Sequence, residues 1–483
     1  MGVSLNPSTI LSGQGIDVSS VVQQIISAQS GQLNVWQTEQ TSLATQDGLL
    51  EGINNNLTSL QTAVQALSDP TGALYAQAAN SSDTSVLTAT AQTSAEAGTH
   101  QIVVSSLATT GTLYTSSIAA GANASFLTSG QTSGSLQLQV GGTSGNYYNI
   151  AITQGSNDTL NTLASYINTQ SNANNWGVTA SVVSDANGAR LALFSKNTGS
   201  TGALGISVNT NTSLTFDPPT GGTNASLTVD GVPFSSANNV VSGAIQGVTL
   251  NLASASPDET VQLTVGPDTG QITTAVNNFI SAYNQVVSTI NTQYVVDPTG
   301  SIPAPPLESD ISLRSVQSRI LADASYAISG NNGYVNLASL GINSNNDGTL
   351  TLGTTATGET LSSILASDPS AVQSFFQNSS NTGFANNFST DLTSLTDPTA
   401  GPLNVDLTQN QAEQADLTTT ISNFQTQLST EQTQLTNQYD AINASLQTYP
   451  LLLQATTEVL ASLGTSSSSS STGVTSPTLT SGL

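Results

Sequence analysis

Residues 50–67 decide the fold, and they read LEGINNNLTSLQTAVQAL. Their apolar side chains recur at alternating intervals of three and four residues, at Leu50, Ile53, Leu57, Leu60, Val64 and Leu67. This heptad spacing places them on one stripe of an α-helix, which we call the first seam, and such a stripe faces a partner helix. Asp69-Pro70 ends the pattern, because the proline ring is incompatible with a continuing helix.

A stretch near the other end of the chain has the same period. Its apolar positions, which we call the second seam, are Ile421, Phe424, Leu428, Leu435, Ile442 and Tyr449. We expect the two seams to pair within one chain and form a leg, the term used here for the N-terminal and C-terminal helices together. A coiled coil between copies of the chain is the alternative.

A further helix is predicted before the first seam. Asp17 is a typical N-cap residue, because its short carboxylate can accept hydrogen bonds from the first turn. Val21, Val22, Ile25 and Ile26 follow it at the spacing of one helical face. The N-terminal part of the leg should therefore begin close to residue 17.

The centre of the chain has a different pattern. From about residue 75 to 266, short alternating stretches between turn residues predict antiparallel β-strands, with a hairpin at Asp230-Gly231. One helix is predicted around residues 160–167, and the helical period returns at 271–292 and at roughly 405–462. The sequence therefore predicts an α+β multidomain protein, with N- and C-terminal helices paired as a coiled-coil-like leg, a mixed helical domain and β-rich head domains.

Charge is unusually scarce in this chain of 483 residues. Charged residues make up 7%, against about 25% in an average protein, and the 29 acidic and 4 basic residues give a net charge of −25. Nucleic acid is excluded as a partner, because phosphate binding needs clustered Lys and Arg. We expect no membrane insertion, because no stretch approaches 18 consecutive apolar residues. No classical signal peptide is visible, and there is no cysteine.

Candidate catalytic residues are equally scarce. His100 is the single histidine, and it is predicted to be an exposed polar residue at the start of a strand. Neither a nucleophile elbow nor a phosphate-binding loop occurs. The stretch Asn343–Gly348 resembles a calcium loop only faintly, because Thr354 stands where a bidentate glutamate is needed. We expect no enzyme, no cofactor and no metal; a carboxylate hydrolase is a distant alternative.

Several motifs occur in one order along the chain. They are Gly15-Ile16-Asp17-Val18, Gly98–Leu107, Ile167-Asn168, Asn224–Leu252 and Asn278–Asn284. Together they resemble the flagellar hook-associated protein 2 family, the bacterial filament caps, over nearly the full length, and residues 160–199 are similar to the hook IN motif. The charged residues usual on the helices of that family are largely Gln, Asn and Thr here.

The resemblance implies a scaffold. Several copies, about five, would form a ring at the filament tip, with the legs on the last flagellin subunits. There the ring would promote the folding and insertion of flagellin. Adhesion would be a further role. The two seams would carry leg formation and filament contact, and the face of Val21, Val22, Ile25 and Ile26 would dock on neighbouring subunits. An export chaperone is a further expected partner. The location would be extracellular, after export through the flagellar channel without a cleaved signal peptide.

The resemblance also implies a division into domains. Residues 1–40 would form an N-terminal leg segment with a flexible start, and residues 41–74 with 267–440 would form a helical leg domain. Residues 75–110 with 217–266 would form a β-rich head domain, into which residues 111–216 are inserted as a second head domain. Residues 441–483 would form a C-terminal leg helix with a disordered serine-rich tail. Two alternatives stay open: another flagellar axial protein, such as a flagellin or hook–filament junction protein, and a secreted glycan-binding adhesin.

Overall fold

The computed structural model describes residues 17–465 except 296, 302 and 379, and the side chains of residues 464 and 465 are not included in that description. The predicted flexible start over residues 1–15 lies outside it, as does the predicted serine-rich tail after Gly464 apart from Thr465. The described part confirms a mixed α+β architecture in which the terminal helices pair.

The leg is built from α1 (Val18–Gln29), α2 (Gly31–Ser68) and α9 (Pro402–Thr465). Asp17 caps α1 as predicted, since its carboxylate accepts a hydrogen bond from the backbone N–H of Ser20 at 3.2 Å. The 64 residues of α9 give a rod about 96 Å long at about 1.5 Å per residue. Both N-terminal helices contact α9.

The remaining helices pack beside the leg, apart from α3, which lies in the strand-rich centre. They are α3 (Leu160–Asn174), α4 (Thr269–Thr292), α5 (Ile311–Ala324), α6 (Leu361–Ser367), α7 (Pro369–Phe376) and α8 (Phe384–Leu395). A short hairpin of β15 (Ile342–Ser344) and β16 (Leu350–Leu352) joins them, and its turn contains Asp347-Gly348. At the centre of this helical core, Phe279 meets Phe384 and Phe388 edge-on, with ring centroids 5.7 and 6.0 Å apart.

A first pair of sheets encloses a second hydrophobic cluster. Its strands are β1 (Gln77–Ser81), β2 (Leu87–Ala91), β3 (Gly98–Ser106), β10 (Ala225–Val229), β11 (Val232–Ser236), β12 (Val240–Ile245), β13 (Val248–Leu252) and β14 (Ser256–Pro267). They form a five-stranded sheet in the order β1-β14-β3-β10-β11 and a three-stranded sheet in the order β12-β13-β2. The predicted turn between β10 and β11 has positive φ at Asp230 and Gly231, as a two-residue hairpin requires.

The chain between β3 and β10 forms a third cluster. Its strands are β4 (Thr110–Tyr114), β5 (Ser133–Val140), β6 (Asn146–Thr153), β7 (Val178–Asp185), β8 (Gly188–Thr198) and β9 (Leu204–Thr210). Two three-stranded sheets, β4-β8-β7 and β6-β5-β9, pack with α3 around Leu138, Leu163 and Leu193. Trp176 stacks on Tyr148 at a centroid distance of 4.7 Å and is part of this core.

Three asparagines join separate elements of the fold in the same way. In each, the side-chain amide accepts from the N–H and donates to the C=O of one residue: Asn168 with Ala180 (2.8 and 2.8 Å), Asn239 with Ala108 (2.7 and 3.0 Å) and Asn284 with Leu350 (2.6 and 2.7 Å). All three lie in the motifs that carry the family resemblance. They fix one element against another, because each satisfies both backbone groups of a buried or half-buried segment.

Replacing Asn284 by alanine is expected to lower the free energy of unfolding by about 2–4 kcal/mol, because the N–H and C=O of Leu350 both lose their partner. Denaturant unfolding followed by circular dichroism measures the change. Asn277 lies exposed on the same helix, so Asn277→Ala serves as the matched control and should change stability little. Equal losses in both variants would show that helix propensity, not the bridge to β16, sets the effect.

Candidate assembly surface

Side-chain hydrogen bonds fix the register of the leg. Gln29 donates to Glu431 at 2.7 Å, Gln40 to Thr418 at 2.7 Å, and Gln414 to Asp47 at 2.6 Å. The residue numbers in each pair add up to about 460, so α1 and α2 run antiparallel to α9. Glutamine donates in all three bonds, and none of them is an ion pair, which agrees with the scarcity of charge in the sequence.

The first seam is completely buried, but it serves more than the leg. Leu50, Ile53, Leu57, Leu60, Val64 and Leu67 all have 0% exposure. They belong to one core to which α4 and α8 also contribute, and α2 contacts both of these helices as well as α9. The first seam therefore joins the leg to the helical core.

The second seam is covered along part of its length. Ile421 and Leu428 are buried, and Phe424 and Leu435 are half-buried. Phe424 meets Trp36 edge-on at a centroid distance of 5.3 Å, which anchors α9 to α2. In contrast, Ile442 is 48% exposed and Tyr449 is 63% exposed.

The face proposed for docking on neighbouring subunits packs largely inside the leg. Val21 and Val22 are buried, Ile25 and Ile26 are half-buried, and α1 contacts α9. The structure thus brings this face together with the second seam. Only Ile25 and Ile26 retain surface for a further contact.

The heptad pattern at the end of α9 combines Ile442 and Tyr449 of the second seam with Tyr439, Leu446, Leu453 and Leu460, four residues that the sequence analysis did not single out. We call Tyr439, Ile442, Leu446, Tyr449, Leu453 and Leu460 the distal seam, and they follow one another at three- and four-residue intervals or one heptad apart. Leu453 and Leu460 are 64% and 71% exposed. Leu452 and Val459 are also exposed and lie on the adjacent side of the helix. The unbroken spacing from Leu435 onward was the signal that could have identified this surface.

The head contains one polar feature that sequence inspection missed. His100 Nδ1 lies 2.8 Å from Asp230 Oδ2, and the other carboxylate oxygen accepts from the N–H of Gln101 at 2.8 Å. These bonds, that of His100 first, lower the pKa of Asp230. His100 is thus tied to the β10–β11 turn and is not a free polar residue at a strand start. Within the described residues, no group of three or more His, Asp or Glu side chains is arranged to hold a metal ion.

No helix in the described part of the chain is long and apolar enough to cross a membrane. The described ion pairs, Arg190–Asp217 at 3.5 Å and Arg319–Asp391 at 3.0 Å, lie outside the contact between the N-terminal helices and α9, as does the His100–Asp230 contact. The leg is therefore held by apolar packing and uncharged or singly charged hydrogen bonds. Such an interface depends little on ionic strength.

Family models match most of the chain. The model described as Flagellar hook-associated protein 2 N-terminus matches residues 14–111, the corresponding C-terminus model matches residues 222–449, and the Flagellin hook IN motif matches residues 135–197. The last match lies where the sequence predicted the inserted head domain. Together the three models cover both ends and the centre of the described chain.

Individual relatives agree with these matches. The B-type flagellar hook-associated protein 2 of Pseudomonas aeruginosa is 31% identical over 474 residues, which cover 92% of this chain and 96% of that protein. The flagellar hook-associated protein 2 of Escherichia coli K12 is 28% identical and covers 70% of this chain and 74% of its own. The crystal structure of the D1–D2–D3 domains of the flagellar cap protein FliD from Escherichia coli superposes with a TM-score of 0.56 at 27% identity, over 75% of this chain and 99% of that one. The chain belongs to the flagellar hook-associated protein 2 family.

Proposed function

We propose that the protein is the filament cap of a bacterial flagellum, an oligomeric scaffold at the filament tip that promotes the folding and insertion of flagellin. The observation that carries the proposal is the leg itself. The distant ends of a chain of this family pair as long antiparallel helices, and within the described residues α9 extends beyond the point opposite Asp17 with an exposed apolar surface. A rod of this kind can reach from a ring of heads to the subunits below it.

The domain division given above is part of the proposal. Three separate hydrophobic clusters support it: one within residues 50–407, one within residues 113–214, and one formed by residues 86–108 with 225–265. The first cluster includes the first seam and would form the helical leg domain. The other two would form the heads of the ring.

We infer that the leg contacts the filament through the apolar side of α9 that carries Leu452 and Val459, together with Ile25 and Ile26. Between residues 441 and 463, Glu458 is the sole charged residue, so this surface suits an apolar helical partner. A flagellin subunit whose ends are apolar heptad helices would be such a partner. Docking there would bury side chains worth about 1.5–3 kcal/mol each.

Further parts of the proposal come from the family resemblance alone. They are a ring of about five copies, an export chaperone, an extracellular location reached through the flagellar channel, and adhesion by the heads. Binding of residues 75–266 to a glycan array would test adhesion. Negative-stain imaging of the purified protein would count the copies in the ring.

Deletion of the gene tests the cap function directly. The mutant should release flagellin monomers into the medium and carry no long filaments, and the full chain supplied from a plasmid should restore them. A flagellin-deletion strain is the control, because it has no monomers to release. Normal filaments in the mutant would contradict the proposal, and absence of flagellin from both the cell surface and the medium would favour another axial role.

A further inference from the structure

The interior of α9 contains one proline. Pro450 is part of the continuous helix Pro402–Thr465, but it has no N–H to bond the C=O of Leu446, and its ring crowds that carbonyl. The ring also disfavours a helical conformation of the preceding residue, Tyr449. Pro402 has no such effect, because the N–H of the first helical position has no partner within the helix in any case. The helix is therefore weakened over the one turn that ends at Pro450.

The packing of α9 changes near the same position. Ile421 and Leu428 are buried in the leg, and Leu435 is half-buried. A bend among these residues would pull apolar side chains out of contact. From residue 451 to residue 460, in contrast, every side chain is exposed. A bend at Pro450 therefore separates no buried side chain in the described part of the chain, and packing does not oppose it.

We propose that Pro450 is a hinge, about which the distal arm, defined here as residues 451–465 of α9, swings relative to the paired leg. The arm itself favours a helix, because residues 451–463 include five leucines and two alanines and no glycine or proline. Leucine and alanine are strong helix formers. The bend is thus confined to the turn that precedes residue 451, and the arm moves as a unit.

The hinge has a use at the surface proposed to contact the filament. A helical arm from residue 451 to residue 465 spans about 22 Å, so a bend of about 20°, the lower bound of a sharp helix kink, displaces its tip by about 8 Å. The arm carries Leu452 and Val459, so the hinge lets this apolar surface turn toward its partner while the leg keeps its place. This use rests on the proposed cap function, whereas the hinge itself follows from α9 alone.

Spin labels on engineered cysteines test the hinge in the purified full chain, which contains no cysteine of its own. Gln438→Cys with Thr456→Cys spans Pro450, and Gln409→Cys with Gln427→Cys is the matched control in the part of α9 that pairs with α2. All four positions are exposed, and each pair is separated by five helical turns, or about 27 Å. Pulsed electron–electron double resonance measures the distance distributions, and an excess of unlabelled chain keeps distances between copies out of the signal.

We expect one narrow peak for the control pair and a distribution several ångströms wider for the pair across Pro450. Pro450→Ala restores the missing N–H and should narrow the wide distribution to the width of the control. Thr457→Ala also raises helix propensity but keeps the proline, so its distribution should stay wide. Equal widths for the two pairs in the native chain, or a wide distribution that persists in Pro450→Ala, would overturn the inference. Equal narrowing by Thr457→Ala would also overturn it, because fraying of the helix end would then explain the width. None of these results depends on whether the protein caps a filament.

Discussion

A chain that ends after Asp440 is expected to fold normally and yet to restore almost no swimming to a strain that lacks the protein. The truncation leaves all three hydrophobic clusters intact, since the last buried residue of α9 is Leu428. It removes the exposed apolar end of the leg. Loss of even one buried apolar side chain, at about 1.5 kcal/mol, weakens binding about tenfold, and this truncation removes several. Swim-ring diameter in soft agar and flagellin in the medium measure the result.

A chain that ends after Thr465 is the matched control, because it keeps all of α9 and should swim nearly as the full chain does. Purified protein added to capless cells from outside separates capping from export. Circular dichroism of both truncated proteins confirms that they fold. If the shorter chain restores filaments as well as the longer one, the end of α9 has no part in capping.

The sequence predicted the helices well because their apolar period is long and regular. The second heptad helix was expected at roughly residues 405–462 and spans Pro402–Thr465, and the helix expected at 271–292 spans Thr269–Thr292. Residues of one helix share local hydrogen bonds and one apolar stripe, so a single window of sequence holds the signal. The two-residue turn at Asp230-Gly231 was predictable for the same reason, since its conformation depends on local residues.

What the sequence left open depends on contacts between distant residues. The heptads predicted that the ends pair but not in which register, because charged pairs that would select one register are absent and Gln–Thr bonds such as Gln40–Thr418 have no distinctive pattern. The first seam also packs against α4 and α8, and both helices lie more than 200 residues further along the sequence. His100 and Asp230 are 130 residues apart in the sequence, and the residues around each of them do not predict their contact.

A buried carboxyl group in the helical core makes a strong pH dependence expected. Asp323 lies on α5 with 5% exposure, and its Oδ2 has no hydrogen-bond partner among the described residues. Burial, assisted by a hydrogen bond to Asp391 and the charge of that carboxylate, raises the pKa of Asp323 from 3.8 to about 8, against the smaller opposite influence of Arg319. The folded protein therefore holds a proton at neutral pH that the unfolded chain releases.

The free energy of unfolding should fall as pH rises from about 4 to 8, by up to about 1.4 kcal/mol per pH unit, because only the unfolded state loses the proton in that window. Asp323→Asn removes this dependence, since the amide stays neutral over the whole range. The variant should be more stable than the native chain by several kcal/mol at pH 8.5 and nearly equal to it at pH 4, as measured by denaturant unfolding across that range. Asp416 is exposed on α9, so Asp416→Asn is the matched control and should follow the native curve. If the free energy of unfolding depends on pH in the same way for the native chain and for Asp323→Asn, Asp323 is ionised in the folded protein. The nearby guanidinium of Arg319, which pairs with Asp391, would then have to stabilise the charge of Asp323.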